Sequence, residues 1–303
     1  MVGFEPPEVE RTLNWQAHME AAGGNPYARE LGAAVALARA AGAAALAHYG
    51  GTLHIVHKSE NDDPVTQADH AANDVIVAGL EREFPADGLL SEETLDTVRR
   101  LSLARVWMID PLDGTKGFIE GNGDFAVQIG LVEDGAPVLG VVYQPVPDVM
   151  HYAARGAGAW VERPGAEPER LRVSGETEFA RMRLAASRNH HSPRMTNVMR
   201  ALGLSEEIRR GSVGIKTGLI AERQCDLYVH LSPRTKHWDT CAPEAILVEA
   251  GGRLTDLWGA QLRYNTEDVQ NRNGIVAANA AAHPLVVARL APLLAEFGRT
   301  RVS

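Results

Sequence analysis

The chain has little cysteine. Only Cys225 and Cys241 occur in 303 residues, too few and too far apart for a disulfide framework or a zinc knuckle. Two free thiols suit a reducing compartment. Basic charge is also short, with 30 Lys and Arg against 39 Asp and Glu and a net charge of −9. A general nucleic-acid coat needs a basic surface, so that class loses ground. Long apolar runs are missing too. The most apolar stretch, Leu31 to Ala47, is largely alanine and carries Arg39, which describes an amphipathic or buried helix and not a membrane span. The opening MVGFEPPEVERTLNW has acidic residues and no apolar core, so no secretory signal is expected. The expectation is a soluble, cytoplasmic protein that binds neither nucleic acid nor membrane.

Hydrophobic residues at 45% and charged residues at 23% match an ordinary globular composition. The length allows one large domain or two. Residues 1–25 read as a polar arm. Tyr27 to His48 predicts a helix stopped by Gly50-Gly51, and 52–57 a strand. Thr66-Gln67-Ala68-Asp69 has the capping-box pattern and opens a second helix that ends before Pro85. Short strands at 88–91 and 106–109 lead into acidic segments. Runs at 125–132 and 138–143 flank Glu133-Asp134-Gly135, a hairpin signal, and 148–154 and 159–162 continue a meander. Beyond the loop at 163–170 strands and helices alternate: strands at 182–187, 206–210, 226–231 and 274–278, helices at 193–203, 213–223, 239–250 and 284–297. The layout is α/β, a helix-flanked antiparallel half at 26–170 followed by an alternating half at 171–303.

Acidic side chains arrive at element ends in four places: Asp62-Asp63-Pro64, Ser91-Glu92-Glu93, Ile109-Asp110-Pro111-Leu112-Asp113-Gly114-Thr115, and Trp238-Asp239-Thr240. Each alone has a structural reading, because Asp starts turns and complements helix dipoles. The third is harder to dismiss. The apolar run VWMI delivers Asp110 at its end and Asp113 follows three residues later, so both carboxylates can face one point. Crowded carboxylates need cations. Hard oxygen ligands suit Mg²⁺, and two such ions about 3.5–4 Å apart can stabilise both oxygens of a phosphoryl transfer. The i, i+3 spacing does not fit the D-x-D-x-T motif of haloacid-dehalogenase-type phosphatases, and no EF-hand pattern is present.

Four stretches, DPVTQAD (63–69), SEE (91–93), DPLDGTKGF (110–118) and KHWDTCAPEAILVEAGG (236–252), resemble the inositol monophosphatase superfamily, in order and over most of the chain. DGTKGFI, the hairpin GLVEDGAPVLGVVYQPV and WDTCAPE look most like its 3′(2′),5′-bisphosphate nucleotidases. The resemblance implies an αβαβα sandwich and Mg²⁺-dependent, lithium-sensitive hydrolysis of a phosphomonoester. Glu92, Asp110 and the Leu112 carbonyl would hold one ion. Asp110, Asp113 and Asp239 would hold a second, and the Asp63 region with waters a third. Thr115 and Asp63 would activate the attacking water, with Asp62 as the alternative register. The substrate would be adenosine 3′,5′-bisphosphate, in a monomer or homodimer. An inositol or other sugar-phosphate phosphatase and a non-catalytic anion-binding relative are the alternatives; the second conflicts with the retained ligands.

Substrate contacts are expected from Gly114, Thr115, Lys116, Ser187, His190 and Asp239. Lys216 and Arg234 are the candidates for the non-reacting phosphate, Lys216 because it follows the turn Gly211-Ser212-Val213-Gly214 at a helix start, where backbone N–H groups bind anions. Asp69 reads as a helix cap, and Trp107, Trp238 and Cys241 as packing residues. Pro243, directly after the alanine of the W-D-x-x-A block (Trp238 to Ala242), is tolerable if it falls in the first turn of its helix.

Overall fold

Apolar spacing builds the first layer. The computed structural model describes residues 25–57, 64–188 and 192–302. Helix α1 (Ala28–Leu46) buries Leu31, Ala34, Val35, Ala38, Ala41 and Ala45, a stripe at three- and four-residue intervals. Helix α2 (Gln67–Glu83) begins at Thr66, whose hydroxyl accepts from the Ala68 N–H at 3.1 Å while the Thr66 N–H donates to Asp69 Oδ2 at 2.8 Å. This is the expected capping box. The two helices pack closely: a Cβ on Gly79 would lie 2.3 Å from Leu37 Cδ2.

Beneath them lies a seven-stranded sheet in sequential order: β3 (Gly88–Ser91), β4 (Arg105–Asp113), β5 (Ala126–Glu133), β6 (Ala136–Gln144), β7 (Val149–Ala154), β8 (Gly158–Glu162) and β9 (Glu169–Arg170). Only β3 and β4 are parallel; the rest form the antiparallel meander that the turn signals predict. A separate small ribbon pairs β1 (Val56–His57) with β2 (Pro64–Val65), so the strand expected at 52–57 keeps only its last two residues.

The second sheet runs β11 (Glu206–Arg210), β10 (Arg183–Ser187), β12 (Leu227–His230), β14 (Ile275–Asn279), β13 (Gly252–Thr255). Its first three strands are parallel. Strand β13, which begins on the second glycine of Gly251-Gly252, is not anticipated by the sequence. Helix α3 (Thr115–Ile119) is a single turn beside β4. Helices α5 (Val213–Ala221) and α6 (His237–Glu249) fill the space between the sheets. Helices α4 (Pro193–Leu202) and α7 (His283–Glu296) cover the far face of the second sheet. Alternation along β10 explains the sandwich: Leu184 and Ala186 face α4 and α7, and Ala185 faces α5. The order of layers is α, β, α, β, α. Among the described residues no helix is long and apolar enough to cross a membrane.

Helix α6 starts at His237, two residues earlier than expected, so Pro243 lies inside the helix and not in its first turn. Proline there removes the N–H that would reach the Asp239 carbonyl. Close packing compensates. Gly130 and Gly140 face each other across β5 and β6 and form a notch for the helix. A Cβ on Gly130 would lie 2.5 Å from Cys241 Sγ, and one on Gly140 2.3 Å from the Ala242 carbonyl oxygen. Cys241 is fully buried there, with its thiol pKa pushed well up by burial, which makes it a packing residue.

Gly140→Ala places a methyl against backbone that cannot rotate away. Its expected cost is about 1–3 kcal/mol, the range for overpacking, read by denaturant unfolding. Gly135→Ala at the neighbouring turn serves as a strain control that leaves α6 in place.

Candidate functional site

Strand geometry brings the first carboxylates together. Residues 110 and 113 are an odd number apart, so on a regular strand their side chains would point to opposite faces. Asp110 pairs with Gln128 but Asp113 pairs with Ala126, and the register shifts between them. That one-residue bulge turns both carboxylates to the same side. Strand β3 runs parallel to β4 with Ser91 beside Ile109, and the Glu92 N–H donates to the Ile109 carbonyl at 3.1 Å. Glu92 therefore leaves its strand end next to Asp110. Asp239 comes from the first turn of α6, where its Oδ2 accepts from the Lys236 N–H at 2.5 Å.

Carboxylate oxygens of Asp110, Asp113 and Asp239 all lie within 4.8 Å of one another. They open on a cavity of about 770 Å³ that Glu92 and Leu112 also line. Burial, then repulsion from Glu92 and the neighbouring aspartates, holds Asp110 well above the ordinary carboxylate range. Asp239 is raised for the same reasons. Three clustered aspartates with Glu92 in the same cavity fit divalent cations, whose charge offsets both burial and repulsion.

Asp113 is held by a cradle of donors. Its Oδ2 accepts from Gln128 Nε2 at 2.6 Å, Ser212 Oγ at 2.5 Å and the Val213 N–H at 2.6 Å, leaving Oδ1 without these bonds. Burial raises the Asp113 pKa, and Lys216, Ser212 and these amides oppose the rise. Ser212 sits at φ 48°, ψ 137°, a strained conformation for a residue other than glycine, which aims its hydroxyl and the following amides at one oxygen. The anion at the start of α5 is thus the carboxylate of Asp113 itself. The sequence assigned that helix start to substrate and had no means to find Gln128, whose position depends on strand register.

Lys216 differs from expectation in the same way. It lines the cavity but is only 4% exposed. Its ammonium donates to the carbonyls of Gly211, at 3.1 Å, and Ser212, at 2.5 Å. Burial pulls its pKa down to about 8, with Asp113, Asp124 and Asp239 opposing. Its head is committed to holding the Asp113 cradle. Gly114, Thr115, Lys116, Ser187 and Arg234 all line the cavity. Gly114 has φ 100°, and a Cβ there would meet the Asp124 carbonyl at 2.5 Å, so only glycine fits. His190, Asp62 and Asp63 lie outside the described residues.

Thr115 has a partner that the sequence reading passed over. Its hydroxyl donates to Asp69 Oδ1 at 3.2 Å and lies 3.3 Å from the Leu112 carbonyl. Asp69 is 2% exposed, and burial raises its pKa against the bonds from Thr66 and Thr115. The capping box accounts for Asp69 Oδ2; Oδ1 points into the site. The capping role concealed this second one.

The base of α6 is pinned by polar contacts. Asn271 Nδ2 donates to the Lys236 carbonyl at 3.0 Å and to Thr240 Oγ at 3.2 Å. Tyr264 donates to Glu244 Oε2 at 2.6 Å, and burial pushes Glu244 up to about 7. Trp238 packs under the Lys236 ammonium, 4.9 Å from its ring centre.

The fold and the carboxylate cluster define a metal-site phosphatase architecture, and comparison with known proteins places it. The inositol monophosphatase family model matches residues 28–294, and the chain belongs to that family. It is similar to 3′(2′),5′-bisphosphate nucleotidase CysQ of Salmonella typhimurium, 42% identical over 235 residues, 77% of this chain and 92% of the relative. Among solved structures it is similar to CysQ from Bacteroides thetaiotaomicron, a bacterial member of the family, at 32% identity and TM-score 0.69 over 89% of this chain and 99% of that one. A Thermotoga maritima IMPase superposes with TM-score 0.75 at 26% identity, covering 88% and 98%.

Two outcomes are expected. Ser212→Ala and Gln128→Leu each weaken divalent-cation affinity by about 10–100-fold, the usual effect of losing a bond to a ligand, read by calorimetric titration. Glu244→Gln removes a carboxylate whose folded pKa is raised above its unfolded value. The stability that Glu244 contributes is full below the ordinary carboxylate range and is lost as pH rises through about 7. The variant is therefore expected to be more stable than wild type at pH 8, by about 1–3 kcal/mol, with the gain vanishing toward pH 5 in denaturant titrations.

Proposed function

We propose that the protein is a Mg²⁺-dependent phosphomonoesterase that hydrolyses the 3′-phosphate of adenosine 3′,5′-bisphosphate. The observation that carries the hydrolytic reading is the convergence of Asp110, Asp113 and Asp239 within 4.8 Å, beside Glu92 and within reach of the Thr115–Asp69 pair. The similarity to CysQ relatives supports the choice of substrate. Glu92, Asp110 and the Leu112 carbonyl would hold one ion, and Asp110, Asp113 and Asp239 another. Bound there, Mg²⁺ supplies positive charge for the phosphate oxygens and lowers the pKa of the attacking water.

The chain's own groups do the rest. Thr115 Oγ, with its proton directed at Asp69, has lone pairs to accept a hydrogen bond from water. Proton transfer from that water to Thr115 can be relayed to Asp69, whose raised pKa suits a proton acceptor. This reading puts Asp69 in the role that the sequence assigned to Asp63. The Asp113 cradle keeps one carboxylate oxygen in a fixed direction, which preserves geometry when substrate enters. Attack is direct, and no side chain becomes phosphorylated.

Thr115→Ala and Asp69→Asn should lower kcat about 10²–10⁴-fold, the contribution of general-base catalysis, with KM and Mg²⁺ affinity little changed; Thr115→Ser should keep much of the rate. Equal rates for the Ala and Ser variants would remove the hydroxyl from the mechanism. The substrate assignment is tested by phosphate release with Mg²⁺ from adenosine 3′,5′-bisphosphate, inositol 1-phosphate and fructose 1,6-bisphosphate. A higher kcat/KM for inositol 1-phosphate would overturn it.

A further inference from the structure

Helix α2 buries Ala68, Ala72, Ile76, Gly79 and Leu80, and with them two polar residues, Asp69 and Asn73. These two lie four apart, one above the other on the helix. Asp69 is accounted for by the cap and by Thr115. Asn73, 6% exposed, needs its own explanation. A buried amide costs free energy unless it is hydrogen-bonded, and an apolar residue would pack this face without that cost.

Its partners supply that explanation. Residues 91–94 form a tight turn, closed by the Thr94 N–H, which donates to the Ser91 carbonyl at 3.4 Å. Ser91 Oγ donates to Asn73 Oδ1 at 2.6 Å, and Asn73 Nδ2 donates to Thr94 Oγ1 at 3.2 Å. One amide therefore grips both ends of the turn. Glu92 is the second residue of that turn and lines the cavity. The turn works against a force: burial, and then repulsion from Glu92, raises the Asp110 pKa. Without a cation the two carboxylates push apart, and a loose turn would relieve the repulsion by swinging Glu92 away. The grip of Asn73 ties the turn to the helix that also carries Asp69.

We infer that Asn73 is a positioning residue, which clamps the turn at 91–94 so that Glu92 stays beside Asp110 and the two can share a divalent cation. This inference rests on the assignment of Glu92 as a cation ligand in the reading above. Helix α2 then fixes both the proton acceptor, Asp69, and the turn that carries a ligand, so the two keep one geometry.

The test is calorimetric titration of the full chain, freed of metal, with Mg²⁺ and without substrate, in wild type, Asn73→Ala, Ser91→Ala and the double variant. Each single variant is expected to weaken Mg²⁺ binding about tenfold, the size of a lost support to a ligand. The double variant should be little weaker than either, because both changes undo the same clamp. Thr255→Val, which loses a buried hydroxyl bonded to His283 in the second sheet, is the control for lost stability and should keep wild-type affinity. Phosphate release separates Asn73 from Asp69: excess Mg²⁺ should restore kcat in Asn73→Ala and not in Asp69→Asn. Should Asn73→Ala fail to fold, Ser91→Ala carries the same comparison. Unchanged Mg²⁺ affinity in the clamp variants would overturn the inference, as would additive losses in the double variant, an equal loss in Thr255→Val, or a kcat that stays low in Asn73→Ala at saturating Mg²⁺. A wild type that binds Mg²⁺ with this dependence on Asn73, yet releases no phosphate from the substrates above, would overturn the hydrolytic reading alone.

Discussion

Four carboxylates, Glu92, Asp110, Asp113 and Asp239, share one small volume, and their mutual repulsion is the constraint around which the rest of the molecule is arranged. Like charges in a partly dehydrated site drive each other toward protonation, as the raised Asp110 and Asp239 pKa values record. The chain answers with neutral donors and fixed geometry. Asp110 accepts from the Leu112 N–H at 3.0 Å. Asp239 accepts from Lys236, and Asp113 from a glutamine, a serine and an amide at a helix start. Each of the three aspartates thus has a bonded oxygen that sets its direction, so that a cation entering the cavity would meet ligands already oriented.

The central helices exist to serve that arrangement. Helix α6 carries Asp239 and lies on the glycine notch of the first sheet, while α5 presents its first amides to Asp113. Because both helices are clamped between sheets, displacement of α6 would move Asp239 and displacement of α5 would take its donors from Asp113. Asn271, Thr240, Tyr264 and Glu244 add polar fastening at a place where Pro243 weakens the helical ladder. Buried networks of this kind are rigid when fully satisfied, and rigidity is what oriented ligands need.

The two sheets divide the chemistry. The first supplies Glu92, Asp110, Asp113 and, through the short helix α3 that follows β4, Thr115; the helix above it supplies Asp69. The second presents the ends of its parallel strands, with Ser187 and Gly211, to the cavity. The carboxylates therefore share the cavity with Lys116, Lys216, Arg234 and Lys236.

Much of this was legible in the amino-acid order. Helical stripes, the capping box at Thr66, the hairpin at Glu133-Asp134-Gly135 and the acidic strand ends are local patterns, and local patterns report local structure. The family motifs carried the layered architecture with them. Strand β13 escaped because four residues that begin on the second glycine of a pair hold too little periodicity. What the tertiary structure alone decided depends on register and packing. The bulge that turns Asp113 to the side of Asp110, the reach of Gln128 from the neighbouring strand, and the closure of the α5 start on Asp113 all join residues far apart in sequence. The same is true of Asp69, whose cap role is visible within three residues while its contact with Thr115 spans 46 positions. Residue type and spacing determined which groups could do chemistry; long-range strand pairing decided which of them meet.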